Sequence, residues 1–404
     1  MLKDLKTMTT RRYDLDTLRI GAFALLIFYH IGMFYVSWGW HVKSVHAGEA
    51  AEPLMRLLNP WRLSLLFLIS GAALRFAIDK TDGLGRFGWT RTKRLFLPLL
   101  FGMLVVVVPQ AWLQLIESGE VSQGLIAFYP GYLTDTYSIT TPTWNHLWYV
   151  AYILVYTLLL LPVARPLSRL SDTIEPALAK ILSGRWGWCL LLAIVFAPHM
   201  LIRLTLDARF PTTHDLTGDW ANHAHSVTWL LTGYVIAKSS AVWAALRSGR
   251  WAFLTLSIGL GAVLTVAWNN WDAVAEAETW LWPARVGRVL YLTAVILSLL
   301  AWAQQLAARE WRGLRYLTEA VFPYYILHQT IIVTVGFWLT RQSLNVGVEF
   351  GLLTAATVGG CVIGHEIIRR VPILRPLFGL KPLQTSASRF ESKSSNPSPQ
   401  RQPT

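Results

Sequence analysis

The sequence contains two cysteines in 404 residues, Cys189 and Cys361, far apart and both in apolar stretches. Their placement matches neither a disulfide framework nor metal-ligand spacing, so neither device organises the fold. Charge is also scarce, with Asp, Glu, Lys and Arg making up 15% of the chain, which excludes an ordinary soluble two-domain surface. No glycine-rich phosphate loop opens a helix after a strand, and GxSxG and HExxH are absent. Soluble hydrolases and nucleotidases thereby lose their usual signatures. No internal repeat is evident, which removes support for the inverted halves of many transporters.

What is present is apolar surface: 53% of residues are hydrophobic, in long runs separated by short basic groups. The runs predict an all-α polytopic membrane protein with about ten transmembrane helices, near 18–38, 60–78, 95–116, 146–164, 187–206, 223–240, 251–268, 284–305, 318–339 and 349–368. The formal charge of +13 is a topology signal and not a nucleic-acid groove, because the basic residues gather in alternate connections. That asymmetry places both termini in the cytoplasm. Acidic residues mark the opposite connections: Glu117, Glu120 and Asp135, then Asp207, Asp215 and Asp219, then Asp272, Glu276 and Glu278. Residues 1–17 form a cytoplasmic N-terminal segment, 18–370 a transmembrane domain and 371–404 a cytoplasmic tail. From about 385 the tail reads TSASRFESKSSNPSPQRQPT, too polar to order itself.

The chain is organised around DLDTLRIGAFALLIFYH, residues 14–30. Asp14 or Asp16 is placed to cap the first helix. Arg19 and His30 share a face about 16 Å apart, so the arginine meets water while the histidine lies deep in the span. An ionisable residue there is costly and marks a functional site. His328, about ten residues into the ninth span within LTEAVFPYYILHQTII, reaches the same depth, and two such histidines can line one cavity. Arg91 and Arg94 in RTKRLFLPLL lie one turn apart at the cytoplasmic end of the third span. With Arg19 they make a cluster suited to phosphate oxygens, or else plain positive-inside anchors. In LFLISGAALRF, Ser70 and Gly71 suit close helix packing. His146 and Trp148 open the fourth span at the outer surface, as substrate-binding candidates. On the same side, Arg285 and Arg288 in WPARVGRVLY share a face and with Arg203 give the outer half of the cavity a positive lining. Alternatively, Asp272, Glu276 or Glu278 neutralises them. Trp271, Trp280 and Trp282 fit either an interfacial belt or a sugar-stacking platform.

Arg19 with ten residues before His30, SGAALRF, Arg91-x-x-Arg94 before LFLPLL, HLWYV and FPYYILHQT follow one another over most of residues 13–330. In that order they resemble the acyltransferase-3 family of integral membrane O-acyltransferases. HLWYV and LTEAVFPYYILHQT are most similar to the branch containing the periplasmic glucan succinyltransferases. The resemblance implies a multi-pass enzyme of the bacterial inner membrane. It would take acyl-coenzyme A as a cytoplasmic co-substrate and a carbohydrate hydroxyl from the outer side. Its partners are those two and the lipid bilayer, without nucleic acid, permanently bound cofactor or metal. His30 matches the catalytic histidine, Arg19 the arginine paired with it, Arg91 and Arg94 the donor-binding pair, and His328 a recurrent family histidine. The corresponding mechanism has neutral His30 as general base, contributing on the order of 10²–10⁴-fold, with a donor near His328 for the oxyanion. The alternative class is a transporter or flippase whose pathway for an anionic or glycan-linked solute is lined by the same residues.

Overall fold

A computed structural model describes residues 11–383. In chain order its helices are α1 (Tyr13–Met33), α2 (Glu52–Leu58), α3 (Arg62–Ile78), α4 (Leu84–Phe101), α5 (Val108–Glu117), α6 (Leu125–Leu133), α7 (Trp148–Leu182) and α8 (Gly187–Thr205). They continue as α9 (Trp220–Ile236), α10 (Ser240–Asn269), α11 (Trp271–Glu276), α12 (Glu278–Leu306), α13 (Leu314–Leu339), α14 (Val346–Arg370) and α15 (Leu374–Leu377). Extended pairing among the described residues is limited to one isolated bridge, Val36 with Gly48, so the all-α expectation holds. Among the described residues, nine helical segments are long and apolar enough to cross a membrane. The tenth expected span is α9, a 17-residue helix about 25 Å long by helical rise.

The α3–α9 pair shows why small residues sit where they do. A Cβ on Gly71 would lie 1.8 Å from the Leu230 carbonyl oxygen, and one on Gly233 would lie 1.9 Å from that of Leu68. Each glycine admits the backbone of the other helix. Ser70, beside Gly71, instead hydrogen-bonds the Tyr149 hydroxyl at 2.7 Å.

Helix α1 begins and ends earlier than its hydropathy suggests. Arg12 occupies its cap position without a side-chain cap, so the expected capping by Asp14 or Asp16 does not occur. Asp14 instead pairs with Arg12 at 2.6 Å, and Asp16 pairs with Arg11 at 2.8 Å and with Arg19 at 3.3 Å. Carboxylates in the first turn still complement the helix dipole. Past Met33 the chain folds back across the helix end. Lys43 Nζ donates to the Met33 carbonyl at 2.7 Å, and Ser44 Oγ donates to Glu349 at 2.5 Å. These ties hold Trp40 and His41 above the last turn of α1, which contains His30.

Between α4 and α5 the helix widens into a π turn over Gly102–Val106. The wider turn leaves carbonyls for outside donors: Met103 accepts from Tyr132 at 2.7 Å, Leu104 from Tyr129 at 2.6 Å and Val106 from Thr330 at 2.6 Å. At the chain's other extremity, α15 packs on α4, with Phe101 and Phe378 ring centroids 5.5 Å apart. The first part of the expected tail is therefore docked onto the helices. The stretch expected to be disordered from about 385 lies outside the described residues, as do residues 1–10.

Candidate active site

Three elements bring three histidines into one layer, the last turn of α1, the middle of α13, and the 3₁₀ turn Asn145–Leu147 that opens α7, and the 34–48 segment adds His41 as a fourth. The 34–48 segment closes them over. His30 Nδ1 lies 2.7 Å from His328 Nε2, with the rings nearly parallel. The proton positions follow from the outer partner. His328 Nδ1 is 2.6 Å from the Tyr325 carbonyl, which can only accept, so that nitrogen carries the hydrogen. His328 Nε2 is then an acceptor and receives the hydrogen bond donated by His30 Nδ1–H. His30 Nε2 is left as a bare lone pair with no hydrogen-bond partner among the described residues. This relay fixes the tautomer and ring orientation of His30, which is what a general base requires.

His146 is not at the surface, as expected from the sequence, but buried within this layer. Its Nε2 donates to the Tyr325 and Ile326 carbonyls at 3.1 and 3.2 Å, its ring meets His328 edge-on, and its Nδ1 has no partner. The sequence misplaced it because the 3₁₀ turn precedes α7 and the 34–48 segment lies across it. His41, unanticipated from sequence, donates through Nδ1 to Gln114 and accepts from Gln329 at 3.0 Å. Burial pulls the His41 pKa below the ordinary imidazole range, with the hydrogen bond to Gln114 acting the other way. Gln329 also donates to Gln110 Oε1 at 3.0 Å, leaving its own carbonyl oxygen buried and unpartnered.

A cavity of about 390 Å³ faces this cluster, lined among others by His30, His146, Gln329, Trp40 and Arg62. Beside His30 Nε2, which makes no hydrogen bond among the described residues, it offers buried acceptors without donors at His146 Nδ1 and Gln329 Oε1 and buried donors without acceptors at Trp40 Nε1 and Arg62 Nε. A buried polar atom without a partner is costly, so this lining is chemically suited to a ligand rich in hydroxyls. Arg62 was missed from sequence. Its guanidinium lies 3.4 Å from the Tyr29 ring centroid and donates to the Asn59 carbonyl at 3.2 Å and to Asn59 Oδ1 at 2.5 Å. His328 keeps no N–H for an oxyanion, so the donors available for that purpose are Arg62 and Trp40.

Arg19, Arg91 and Arg94 line a second cavity of about 200 Å³ on the side of the histidine layer nearer the start of α1. Asp16, 3.3 Å from Arg19, is the only carboxylate that pairs with any of the three among the described residues. Arg94 also donates through Nε to the Gly379 carbonyl at 3.0 Å, which ties the cluster to the docked C-terminal segment. Tyr149 borders both cavities. It forms a partition with Phe23 and Tyr325, the ring centroids lying between 5.4 and 6.3 Å apart.

A third cavity of about 590 Å³ opens at the opposite end and shares Asn59, Arg62, Leu63, Trp148 and His214 with the histidine cavity. Trp148 stacks on His214 with ring centroids 4.2 Å apart. His214 and Asn145 both have positive φ, 60° and 47°, a conformation that bulky side chains seldom adopt and that gathers at functional sites. Asp219 holds the His214 segment by accepting from the backbone N–H groups of Thr213 and His214, each at 3.0 Å, and from Tyr152 at 2.7 Å. Arg288 and Arg203 line this cavity as expected, but Arg285 does not: it lies over Trp282, 5.0 Å from the ring. Three residues advance a helix by 300°, so the two arginines point about 60° apart, enough to separate cavity from exterior. Trp271, Trp280 and Trp282 are exposed and line none of these cavities.

The described residues thus form an all-helical membrane fold with a histidine layer between an arginine cluster and a further cavity at the opposite end. Residues 12–366 match the acyltransferase-3 family, described as "Acyltransferase domain", and the chain belongs to that family of membrane acyltransferases. The chain is similar to "Glucans biosynthesis protein C" of Salmonella agona (strain SL483), 22% identical over 387 residues, covering 94% of this chain and 97% of the relative. The protein of the same name from Escherichia coli (strain SMS-3-5 / SECEC) is 22% identical over 389 residues, covering 92% and 95%. That of Salmonella heidelberg (strain SL476) is 21% identical over 387 residues. No solved structure matches significantly.

Proposed function

We propose that the chain transfers an acyl group, acetyl or succinyl, from cytoplasmic acyl-coenzyme A to a carbohydrate hydroxyl presented from the periplasmic side, with a glucan as acceptor. The carrying observation is the bare Nε2 of His30, held toward a hydroxyl-suited cavity by the relay through His328 to the Tyr325 carbonyl. Arg19, Arg91 and Arg94 take the donor's phosphates, and the pantetheine arm runs along α1 past Phe23 to the histidines. His30 Nε2 removes the proton from the acceptor hydroxyl as its oxygen attacks the thioester carbonyl carbon. Arg62 and Trp40 receive the developing oxyanion. The carbon–sulfur bond breaks, and the proton passes from His30 to the thiolate, giving free coenzyme A and an ester with no net proton change. The transporter alternative is set aside by the family assignment, not by the geometry.

The test is purified full-length chain in detergent with acetyl- or succinyl-coenzyme A and a β-glucan oligosaccharide. Thiol release and ester formation are followed together. His30→Gln, which keeps volume but cannot serve as the base, is expected to lower kcat by about 10²–10⁴-fold with unchanged thermal stability. Wild-type turnover in that variant would reject the general-base mechanism.

A further inference from the structure

The outer cavity carries charge that its own walls do not balance. Arg203, Arg288 and Arg62 contribute three guanidinium groups, against the single carboxylate of Asp207. That carboxylate is already taken: Arg203 Nη1 lies 2.6 Å from one oxygen and His225 Nε2 3.1 Å from the other. Arg62 is held only by neutral groups, the Tyr29 ring and Asn59, and its buried Nε has no partner. Arg288 makes no hydrogen bond or ion pair among the described residues. Asp272 and Glu276, the neutralising partners expected from sequence, are exposed and pair with neither arginine, while the Glu278 side chain lies outside the described residues. The neighbouring Arg285 shows the ordinary solution for a cation at this depth, lying over Trp282 at the periphery. Arg288 points inward instead, where an uncompensated guanidinium is expensive unless something completes it.

We propose that this cavity is an anion-binding subsite, built on Arg288 with Arg62 and Arg203, that takes a carboxylate or phosphate attached to one of the two substrates. The guanidinium forks match the oxygen geometry of either group. The site adjoins the histidine cavity through Arg62, Trp148 and His214, so a bound molecule spans both. Its anion is then either the far carboxylate of a dicarboxylic acyl group or an anionic substituent on the carbohydrate. The subsite itself stands on the cavity's charge. Only the identity of the attached substrate rests on the acyltransferase reading.

Two measurements on the full-length protein separate these levels. In the first, wild-type protein is modified with an arginine-specific dicarbonyl, with and without inorganic phosphate, and read by peptide mass spectrometry. Phosphate is expected to protect Arg288 severalfold and to leave Arg285 unprotected. Equal labelling of Arg288 with and without phosphate overturns the subsite, and this readout needs no variant and no turnover. In the second, Arg288→Gln is compared with wild type using acetyl- and succinyl-coenzyme A on a neutral glucan oligosaccharide, and acetyl-coenzyme A on glucose 6-phosphate. A drop in kcat/KM on the order of tenfold or more, confined to the succinyl donor, assigns the anion to the acyl group. A drop confined to glucose 6-phosphate assigns it to the acceptor. Either is expected to be partly rescued by Arg288→Lys. Equal loss in all three reactions, or no loss in any, overturns substrate recognition by Arg288. If wild type transfers nothing, the acyltransferase reading fails while phosphate protection still decides the subsite.

Discussion

At the scale of single residues, the site depends on which nitrogen of which imidazole holds a proton. The Tyr325 carbonyl fixes His328, and His328 fixes His30, so under the proposed mechanism His328 acts on the reaction through His30. His328→Leu removes the acceptor for His30 Nδ1–H and lets that ring choose the wrong tautomer. In the serine-hydrolase triad, loss of the orienting partner costs up to about 10⁴-fold in kcat. A loss of that order is expected here, with KM for acyl-coenzyme A nearly unchanged. His328→Gln, which offers a carbonyl oxygen in place of Nε2, is expected to recover part of it. If both substitutions reduce kcat equally, the tautomer argument fails and His328 matters for packing alone. The pairing of His30 with His328 was legible because both lie on long regular helices, where residue number converts to depth at 1.5 Å per residue. His41 and His214 were not, because they lie on non-helical segments, and Arg62 was not, because its contact with Tyr29 depends on how α3 packs on α1. Asn145 and His214 take left-handed backbone conformations, and distant partners tie them in place, Gln329 at the Asn145 Oδ1 and Trp144 at the His214 carbonyl, which no local pattern encodes.

At the scale of elements, two contacts position the machinery. The first is the backbone-to-backbone crossing of α3 and α9, which sets where Arg62 and Ser70 emerge from α3. Gly71→Ala places a methyl carbon 1.8 Å from a carbonyl oxygen that cannot move without its helix. Overpacking of this kind typically costs about 1–3 kcal/mol, and a rigid backbone neighbour puts it at the upper end. Thermal unfolding in detergent is expected to show a clear fall in midpoint, whereas Gly21→Ala, with nothing near its Cβ, is expected to be neutral. The second contact is Arg94 with Gly379, which the spacing of Arg91 and Arg94 did not foretell because the partner lies 285 residues away. It gives Arg94 a structural role that Arg91 lacks. Arg91→Gln is expected to raise KM for acyl-coenzyme A and leave amide exchange of residues 374–380 as in wild type. Arg94→Gln is expected to raise KM and also speed that exchange. Identical exchange in both variants would show that Arg94 does not hold the C-terminal segment.

At the scale of the molecule, the membrane architecture and the grouping of arginines apart from histidines could be read from hydropathy and spacing, since both follow from long apolar helices. What could not be read is the partition between the two groups. Phe23, Tyr149 and Tyr325 come from three different helices, and their meeting depends on how α1, α7 and α13 pack. The partition places an apolar layer between an anion-suited cavity and a hydroxyl-suited one. Under the proposed mechanism, a thioester arm entering from the arginine side would have to displace it, with water and acceptor on the other side. Phe23 is the ring on α1, between Arg19 and His30, and its removal opens the barrier at least cost to the hydrogen bonds, since Tyr149 and Tyr325 anchor Ser70 and the His146 carbonyl. Phe23→Ala is therefore expected to raise hydrolysis of acyl-coenzyme A in the absence of acceptor by severalfold and to lower the ratio of ester formed to thiol released. The folded fraction will also fall somewhat, because removing a buried phenylalanine costs about 3–5 kcal/mol, so rates are normalised to protein that remains monodisperse. The companion Phe23→Leu refills most of the volume and is expected to restore coupling. If Phe23→Ala leaves the ester-to-thiol ratio at the wild-type value, the aromatic layer is packing and water is excluded elsewhere.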